Sequence, residues 1–122
     1  ELGGAGTITH KTVRLATEGL SRMIAALGHL STQENLVESR LVRLPSSDTY
    51  IVSDDTMVFA PALSLGGFVR KGYTIGHGHF LDRVDCRPRT YTAPHDGWVI
   101  CLAGQGLARR GDVIAIVAEG VQ

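Results

Sequence analysis

The sequence predicts a mainly β protein with one N-terminal helix, in which a small β-barrel or barrel-sandwich-like domain follows the tail of an α/β domain. Apolar residues near the N-terminus recur every three or four positions, whereas those after residue 40 alternate with a period of two. A nine-residue pattern also occurs twice in the second part. We place the α/β tail at residues 1–32 and the β-rich domain at 36–122, with a polar linker between them.

A helix is predicted over residues 9–27. Its apolar residues share one face: Val13, Ala16, Leu20, Met23, Ile24 and Leu27. Thr9 is a suitable N-cap and Gly28 a suitable C-terminal stop. Because this face is apolar, we expect it to pack against a surface that an upstream part of the protein supplies.

Seven short strands are predicted after the linker, because their residues are β-branched or aromatic and are bounded by turn residues. The strands cover 41–44, 49–52, 57–60, 73–76, 89–93, 98–102 and 113–117. Short strands without a second helix are typical of a small barrel or sandwich. Asp54-Asp55 and Asp96-Gly97 are interpreted as turn residues between strands.

The repeated pattern is GFVRKGYTI at 67–75 and GLARRGDVI at 106–114, at an offset of 39 residues without a gap. Each copy follows an Ala-Pro step, Ala60-Pro61 in the first and Ala93-Pro94 in the second. Each copy has two apolar residues, two basic residues and a glycine, followed by a strand. This order is typical of a strand that enters a tight turn. The repeat therefore predicts two similar hairpins that form a pseudo-twofold β unit.

Bulk properties exclude several functions. The 12 basic residues balance the 12 acidic ones without a basic stripe, which argues against nucleic acid or an anionic membrane as a partner. Apolar runs are far shorter than the roughly 20 residues that span a bilayer. The half-motifs resemble biotinyl and lipoyl carrier domains, but neither Lys11 nor Lys71 fits the modified hairpin lysine of those domains. Cys86 and Cys101 are interpreted as free thiols of a cytoplasmic protein.

Two histidines suggest a metal site, because His77 and His79 would point to the same side of a strand. Such a site needs a third ligand such as His95 or Asp82, and the spacing does not specify one. A polar pair after a strand explains the same residues. We therefore expect no metal ligand in this chain.

Candidate substrate-binding residues lie further along. Arg83, Arg87 and Arg89 flank Pro88, and a guanidinium binds a carboxylate well, although a surface or interface salt bridge explains the cluster too. Tyr91 either donates a hydrogen bond to substrate or fills a strand position. Arg89 and Tyr91 are the substrate-binding residues that we predict.

The N-terminal segment Glu1-Leu2-Gly3-Gly4, followed by a long helix, resembles the active-site glutamate segment of the succinylglutamate desuccinylase/aspartoacylase family. This family is a branch of the zinc carboxypeptidase-like hydrolases. Further motifs continue the resemblance to the family's C-terminal β domain in order: 27–30, 40–44, 59–72, 91–97 and 110–112. Within the family, the chain is most similar to bacterial N-acetyl-diaminobutyrate deacetylase-like enzymes, as in ectoine breakdown.

This resemblance implies a zinc hydrolase that deacylates a small N-acyl amino acid or related amide. Zinc would polarise the carbonyl and lower the pKa of bound water to about 7. Glu1 would be the general base. The family's zinc ligands, a His-x-x-Glu pair and a later His, lie upstream, as do its substrate-binding arginine and asparagine residues. We therefore expect this chain alone to bind no zinc and to be inactive without the missing N-terminal catalytic domain; we also expect a homo-oligomer.

Two alternatives remain open. One is a non-catalytic barrel-sandwich binding or assembly module, in which Glu1 is irrelevant and the hairpins at Gly67 and Gly106 form the interface. The other is a stand-alone metalloprotein that uses the three histidines considered above.

Overall fold

A computed structural model describes residues 8–29, 31, 39–83, 85–104 and 106–121. The chain divides into two compact units, Glu1–Ser39 and Arg40–Gln122. Assignment of the first unit to a catalytic domain stays a prediction, and Glu1 lies outside the described residues. None of the helices in the described ranges is both long and apolar enough to cross a membrane.

The first unit contains helix α1, His10–Ala26, as the apolar spacing predicted. Thr9 is its N-cap: the Thr9 side chain accepts from the Thr12 N–H at 3.3 Å, and Thr12 Oγ1 accepts from the Thr9 N–H at 2.9 Å. At the other end the Gly28 N–H donates to the Ala25 carbonyl at 2.8 Å. Within the described chain no residue of α1 is buried. The expected covering surface therefore stays a prediction.

The described part of the second unit has nine strands. They are β1 Val42–Arg43, β2 Tyr50–Val52, β3 Met57–Pro61, β4 Phe68–Val69, β5 Thr74–His79, β6 Arg89–Thr92, β7 Gly97–Leu102, β8 Leu107–Ala108 and β9 Val113–Gly120. All seven predicted strands are present. The two that were not predicted, β4 and β8, lie in the repeated pattern, where two basic residues and a glycine follow at once. The mainly β class with one N-terminal helix is therefore confirmed.

The strands form two antiparallel sheets. The first has the order β1-β9-β7-β4, with β2 also paired to β9, and the second has the order β6-β5-β3-β8. Side chains from both sheets share one core: Met57, Phe59, Val69, Ile75, Phe80, Tyr91, Ala93, Val99, Ala108, Ile114, Ala115 and Val117. Among the described residues the sheets do not close, so the sandwich form of the prediction holds and a closed barrel does not.

A pseudo-twofold relation connects the two halves of this unit. Strands β2 to β5 form the first half and correspond to β6 to β9, which form the second. The short strand of each half pairs with a strand of the other half: β4 pairs with β7, and β8 pairs with β3. Likewise β2 pairs with β9 and β6 with β5. The repeated glycines Gly72 and Gly111 both have positive φ, at 80° and 93°. The predicted pseudo-twofold unit is thus observed.

The two Ala-Pro steps are not equivalent in the structure, contrary to our expectation. Ala60-Pro61 lies at the end of β3, whereas Ala93-Pro94 follows β6. The structural counterpart of Ala93 is Ser53. The Ala93 N–H donates to the Tyr73 carbonyl and the Ser53 N–H donates to the Asp112 carbonyl, both at 2.8 Å.

Candidate functional site

The two predicted substrate-binding residues converge on one carboxylate in the turn between β2 and β3. The Tyr91 hydroxyl donates to Asp54 Oδ1 at 2.7 Å, and Arg89 Nη1 forms an ion pair with Asp54 Oδ2. The alternation of β6 explains why Arg89 and Tyr91 act together, since residues two apart lie on one face of a strand. Asp54 was predicted only as a turn residue, and its contact with Arg89 and Tyr91 was not predicted. The other predicted site residue, Glu1, lies outside the described ranges.

Tyr91 fills a strand position, and its role in substrate binding stays a prediction. Its ring is only 9% exposed and packs edge-to-face on Phe59, with ring centroids 6.2 Å apart. Its hydroxyl lies 3.4 Å from Met57 Sδ as well as bonding to Asp54. The ring therefore fills a core position in β6, and the hydroxyl bonds to a protein carboxylate.

A second ion pair lies beside the first. Arg83 Nη2 is 2.7 Å from Asp55 Oδ2, and Arg83 Nε is 3.6 Å from Asp82 Oδ2. The ring of Phe80 lies beneath both guanidinium groups, with its centroid 5.0 Å from Arg83 Cζ and 5.8 Å from Arg89 Cζ. A buried ring in this position supports each cation through its π face. We call Asp54, Asp55, Phe80, Arg83, Arg89 and Tyr91 the arginine cluster.

Local hydrogen bonds keep the second pair ionised. The Thr56 N–H donates to the Asp55 carboxylate at 2.8 Å and, together with the Arg83 guanidinium, lowers the pKa of Asp55. The carboxylate of Asp55 in turn raises the pKa of Arg83. The pair therefore carries opposite full charges across the neutral pH range.

The histidines do not form the metal site considered above. His77 Nδ1 lies 3.3 Å from Thr90 Oγ1, and His95 Nδ1 lies 3.0 Å from the Asp96 carbonyl. In the described ranges no group of three or more His, Cys, Asp or Glu side chains is arranged to hold a metal ion. The described residues therefore offer no set of zinc ligands to the alternative of a stand-alone metalloprotein.

Two surface depressions are lined by residues that do not belong to the arginine cluster. One, of about 330 Å³, is lined by Ala103, Gly104, Leu107, Ala108, Asp112 and Val113. Its only carboxylate, Asp112, already accepts from the Arg109 N–H at 2.8 Å. The other, of about 420 Å³, contains the Arg43–Glu119 pair, whose charges meet at 3.1 Å. The arginine cluster is the better candidate site, because it brings together several charged groups and the two residues predicted from sequence.

Comparisons with known proteins find relatives of this chain. No family model matches the sequence. It is 26% identical, over its full length, to an N-alpha-acetyl-L-2,4-diaminobutyric acid deacetylase from Halomonas elongata, of which it spans 36%. The product-bound structure of the ectoine utilization protein EutE (DoeB) from Ruegeria pomeroyi matches 98% of the chain at 30% identity, with a TM-score of 0.82.

A succinylglutamate desuccinylase/aspartoacylase structure from Rhodobacter sphaeroides matches the whole chain at 30% identity, with a TM-score of 0.83. The chain spans 36% of the EutE chain and 39% of the Rhodobacter chain. The similarity thus covers both units of this chain and a little over one third of each relative.

Proposed function

Because this chain corresponds to the C-terminal part of a succinylglutamate desuccinylase/aspartoacylase family protein, as its motif order predicted, we propose that the protein containing it is an amide hydrolase that deacylates an N-acyl amino acid or a related amide. The observation that carries the proposal is the coverage: a relative named as a deacetylase and a structure named as a desuccinylase/aspartoacylase each match 100% of the chain. A match confined to the β unit would have supported only a shared binding module.

The substrate that we propose is N-α-acetyl-L-2,4-diaminobutyric acid. The name of the Halomonas relative and the ectoine utilization title of the Ruegeria structure support this choice. The motifs favour the same subgroup. The products would be acetate and a free diamino acid, formed when water adds to the acetamide carbonyl and the C–N bond breaks.

Glu1 is the general base in this proposal. Its carboxylate accepts a proton from the attacking water and delivers it to the leaving amine. We propose that the protein uses zinc, which supplies a polarised carbonyl and a more acidic water. The family resemblance puts the zinc ligands upstream of Glu1, and we propose on that ground that the isolated 122-residue chain is inactive.

Other features of the proposal concern its setting. We propose a cytoplasmic location and a homo-oligomer, as the sequence led us to expect. If the chain is instead a non-catalytic assembly module, removal of the Glu1 carboxylate should leave its function unchanged. The activity of the whole protein therefore distinguishes the two functions.

The test is hydrolysis of N-α-acetyl-L-2,4-diaminobutyric acid by the full-length protein, measured as acetate release. Glu1→Ala should lower kcat by about a hundred- to ten-thousand-fold, because proton transfer contributes that much to such reactions. Zinc content, measured by mass spectrometry, should not change. Glu119→Gln is the matched control, since it removes a carboxylate from an exposed ion pair 3.1 Å from Arg43 and should retain activity.

Two results would contradict the proposal. A full-length protein that does not hydrolyse this or related N-acyl amino acids would refute the deacylase function. Full turnover by the Glu1→Ala variant would refute only the role of Glu1.

A further inference from the structure

Two buried polar atoms of the second unit have no hydrogen-bond partner in the described part of the chain: Thr49 Oγ1 and His95 Nε2. Thr49 is fully buried at the end of a single turn of 3-10 helix, Ser47–Thr49, which leads into β2. His95 lies in the turn between β6 and β7. The large majority of buried polar side-chain atoms are hydrogen-bonded, either to protein or to an ordered water. Both atoms are therefore expected to have a partner.

The other ring nitrogen of His95 determines what Nε2 can bind. His95 Nδ1 lies 3.0 Å from the Asp96 carbonyl oxygen. Because a carbonyl oxygen can only accept, Nδ1 carries the proton and Nε2 of the neutral ring is an acceptor. The Thr49 hydroxyl can both donate and accept. A small ligand that donates to Nε2 and accepts from the hydroxyl therefore satisfies both atoms.

The pseudo-twofold relation places Thr49 beside the turn that contains His95. In the pairing of β2 with β9 and of β6 with β5, Thr49 occupies the position of Arg89. The turn between β6 and β7 likewise occupies the position of the turn between β2 and β3, which contains Asp54. Arg89 contacts Asp54 across the two halves. Thr49 therefore lies against the turn between β6 and β7.

The electrostatics of Asp48, the residue before Thr49, agree with this placement. The pKa of Asp48 is lowered, chiefly by a hydrogen bond from the Ser46 side chain and by its own N–H. The charge of His95 makes a smaller contribution in the same direction. Such an effect requires a short separation, so His95 lies close to Asp48.

We propose that one internal water molecule binds between Thr49 and His95, where it donates to Nε2 of the ring and accepts from the hydroxyl. Water is the smallest molecule that donates and accepts at once, and internal waters typically join buried groups that otherwise lack a partner. The bridge connects the segment before β2 to the turn before β7. At the equivalent position the exposed ion pair of Arg89 with Asp54 makes this connection. The proposal does not depend on the deacylase function.

The direct test is a crystal structure of the full-length protein at a resolution that shows ordered water, because it requires no variant. A water within about 2.6–3.2 Å of both Thr49 Oγ1 and His95 Nε2 is the expected result. A direct hydrogen bond between the two side chains would overturn the bridge. A different protein group bonded to either atom would overturn it too, as would a structure without a water at this position.

Thr49→Val tests the energetics, since it removes the hydroxyl and nearly keeps the shape of the side chain. If a water joins the two groups, the variant loses one hydrogen bond and local stability falls. If the hydroxyl has no partner, an apolar replacement raises stability instead. The readout is amide hydrogen exchange of residues 49–53 in the full-length protein, measured by mass spectrometry. Exchange should become about fivefold to tenfold faster, and unchanged or slower exchange would overturn the bridge.

Two variants are matched controls. Thr90→Val makes the same replacement at an exposed position of β6, beside His77, and should change the exchange of residues 49–53 less than about twofold. Equal acceleration in both valine variants would refute a specific role of Thr49. Thr49→Ser keeps the hydroxyl, so its crystal structure should retain the water, and loss of the water from this folded variant would contradict the bridge.

Discussion

Gly97, at the start of β7, is a position where one added methyl group would meet the backbone of the neighbouring strand. A Cβ at Gly97 would lie 2.5 Å from the Ala118 carbonyl oxygen and 2.9 Å from Val117 Cγ1. Both contacts are far shorter than an ordinary van der Waals contact. The oxygen belongs to the backbone of β9, which pairs with β7 through Trp98 and Ala118. Gly97→Ala therefore forces the central pair of strands of the first sheet apart.

The magnitude follows from two contributions. Overpacking of a core position costs about 1–3 kcal/mol, and a disrupted hydrogen bond between the strands costs about 1 kcal/mol more. Replacing glycine by alanine also lowers the conformational entropy of the unfolded chain, which stabilises the folded state by about 0.4–1 kcal/mol. We expect a net loss of about 2–3 kcal/mol, which lowers the Tm of a domain of this size by about 10–20 °C.

The assay is urea unfolding of the 122-residue chain, followed by far-UV circular dichroism and by the fluorescence of its single tryptophan, Trp98. Gly120→Ala is the matched control in β9. Its added Cβ would have Trp98 Nε1 as the nearest atom, at 4.0 Å. The control should be neutral or slightly stabilising. Equal midpoints for Gly97→Ala and Gly120→Ala would refute the argument from close strand approach.

Further predictions concern the core and the acid stability of the second unit. Ile75→Ala and Ile114→Ala remove pseudo-equivalent side chains that are both fully buried, so each should destabilise by about 2–5 kcal/mol in urea unfolding, and a neutral result at either position would contradict the shared core. Asp55→Asn should make the free energy of unfolding fall less steeply as the pH is lowered. The pKa of Asp55 is lowered from 3.8 by the Thr56 N–H and Arg83, so its contribution is present above pH 3.8 and is lost as pH falls through the folded pKa; parallel acid limbs for variant and wild type would contradict this.

Much of the fold was predictable because it depends on local pattern. The period of the apolar residues located α1 and seven strands, and the repeat indicated the pseudo-twofold relation. The strands β4 and β8 were not predicted, because the basic pair and glycine that follow each of them indicated a turn. The supposed equivalence of Ala60-Pro61 and Ala93-Pro94 was wrong because composition was matched without strand register. Two identical dipeptides can therefore lie at different positions relative to their strands.

The site was predictable only in part. Arg89 and Tyr91 were predicted from side-chain chemistry, a guanidinium that binds carboxylates and a hydroxyl that donates a hydrogen bond. Asp54 is 37 residues from Tyr91, and its contact depends on the pairing of β6 with β5 and on the turn after β2. The spacing of these residues along the sequence does not predict such a contact. The role of Glu1 stays a prediction.

An internal repeat nevertheless contains a signal that a single strand lacks. The two halves of the second unit share a backbone, so positions where their side chains agree report what the fold requires. The isoleucines at 75 and 114 and the glycines at 72 and 111 are such positions, and they lie in the core or in turns with positive φ. Positions where the halves differ are free of that requirement. Tyr91 corresponds to Ile51 in the other half, and Asp54 corresponds to Pro94, so both belong to this second class. An alignment of the halves by strand register would have identified both as candidates for binding.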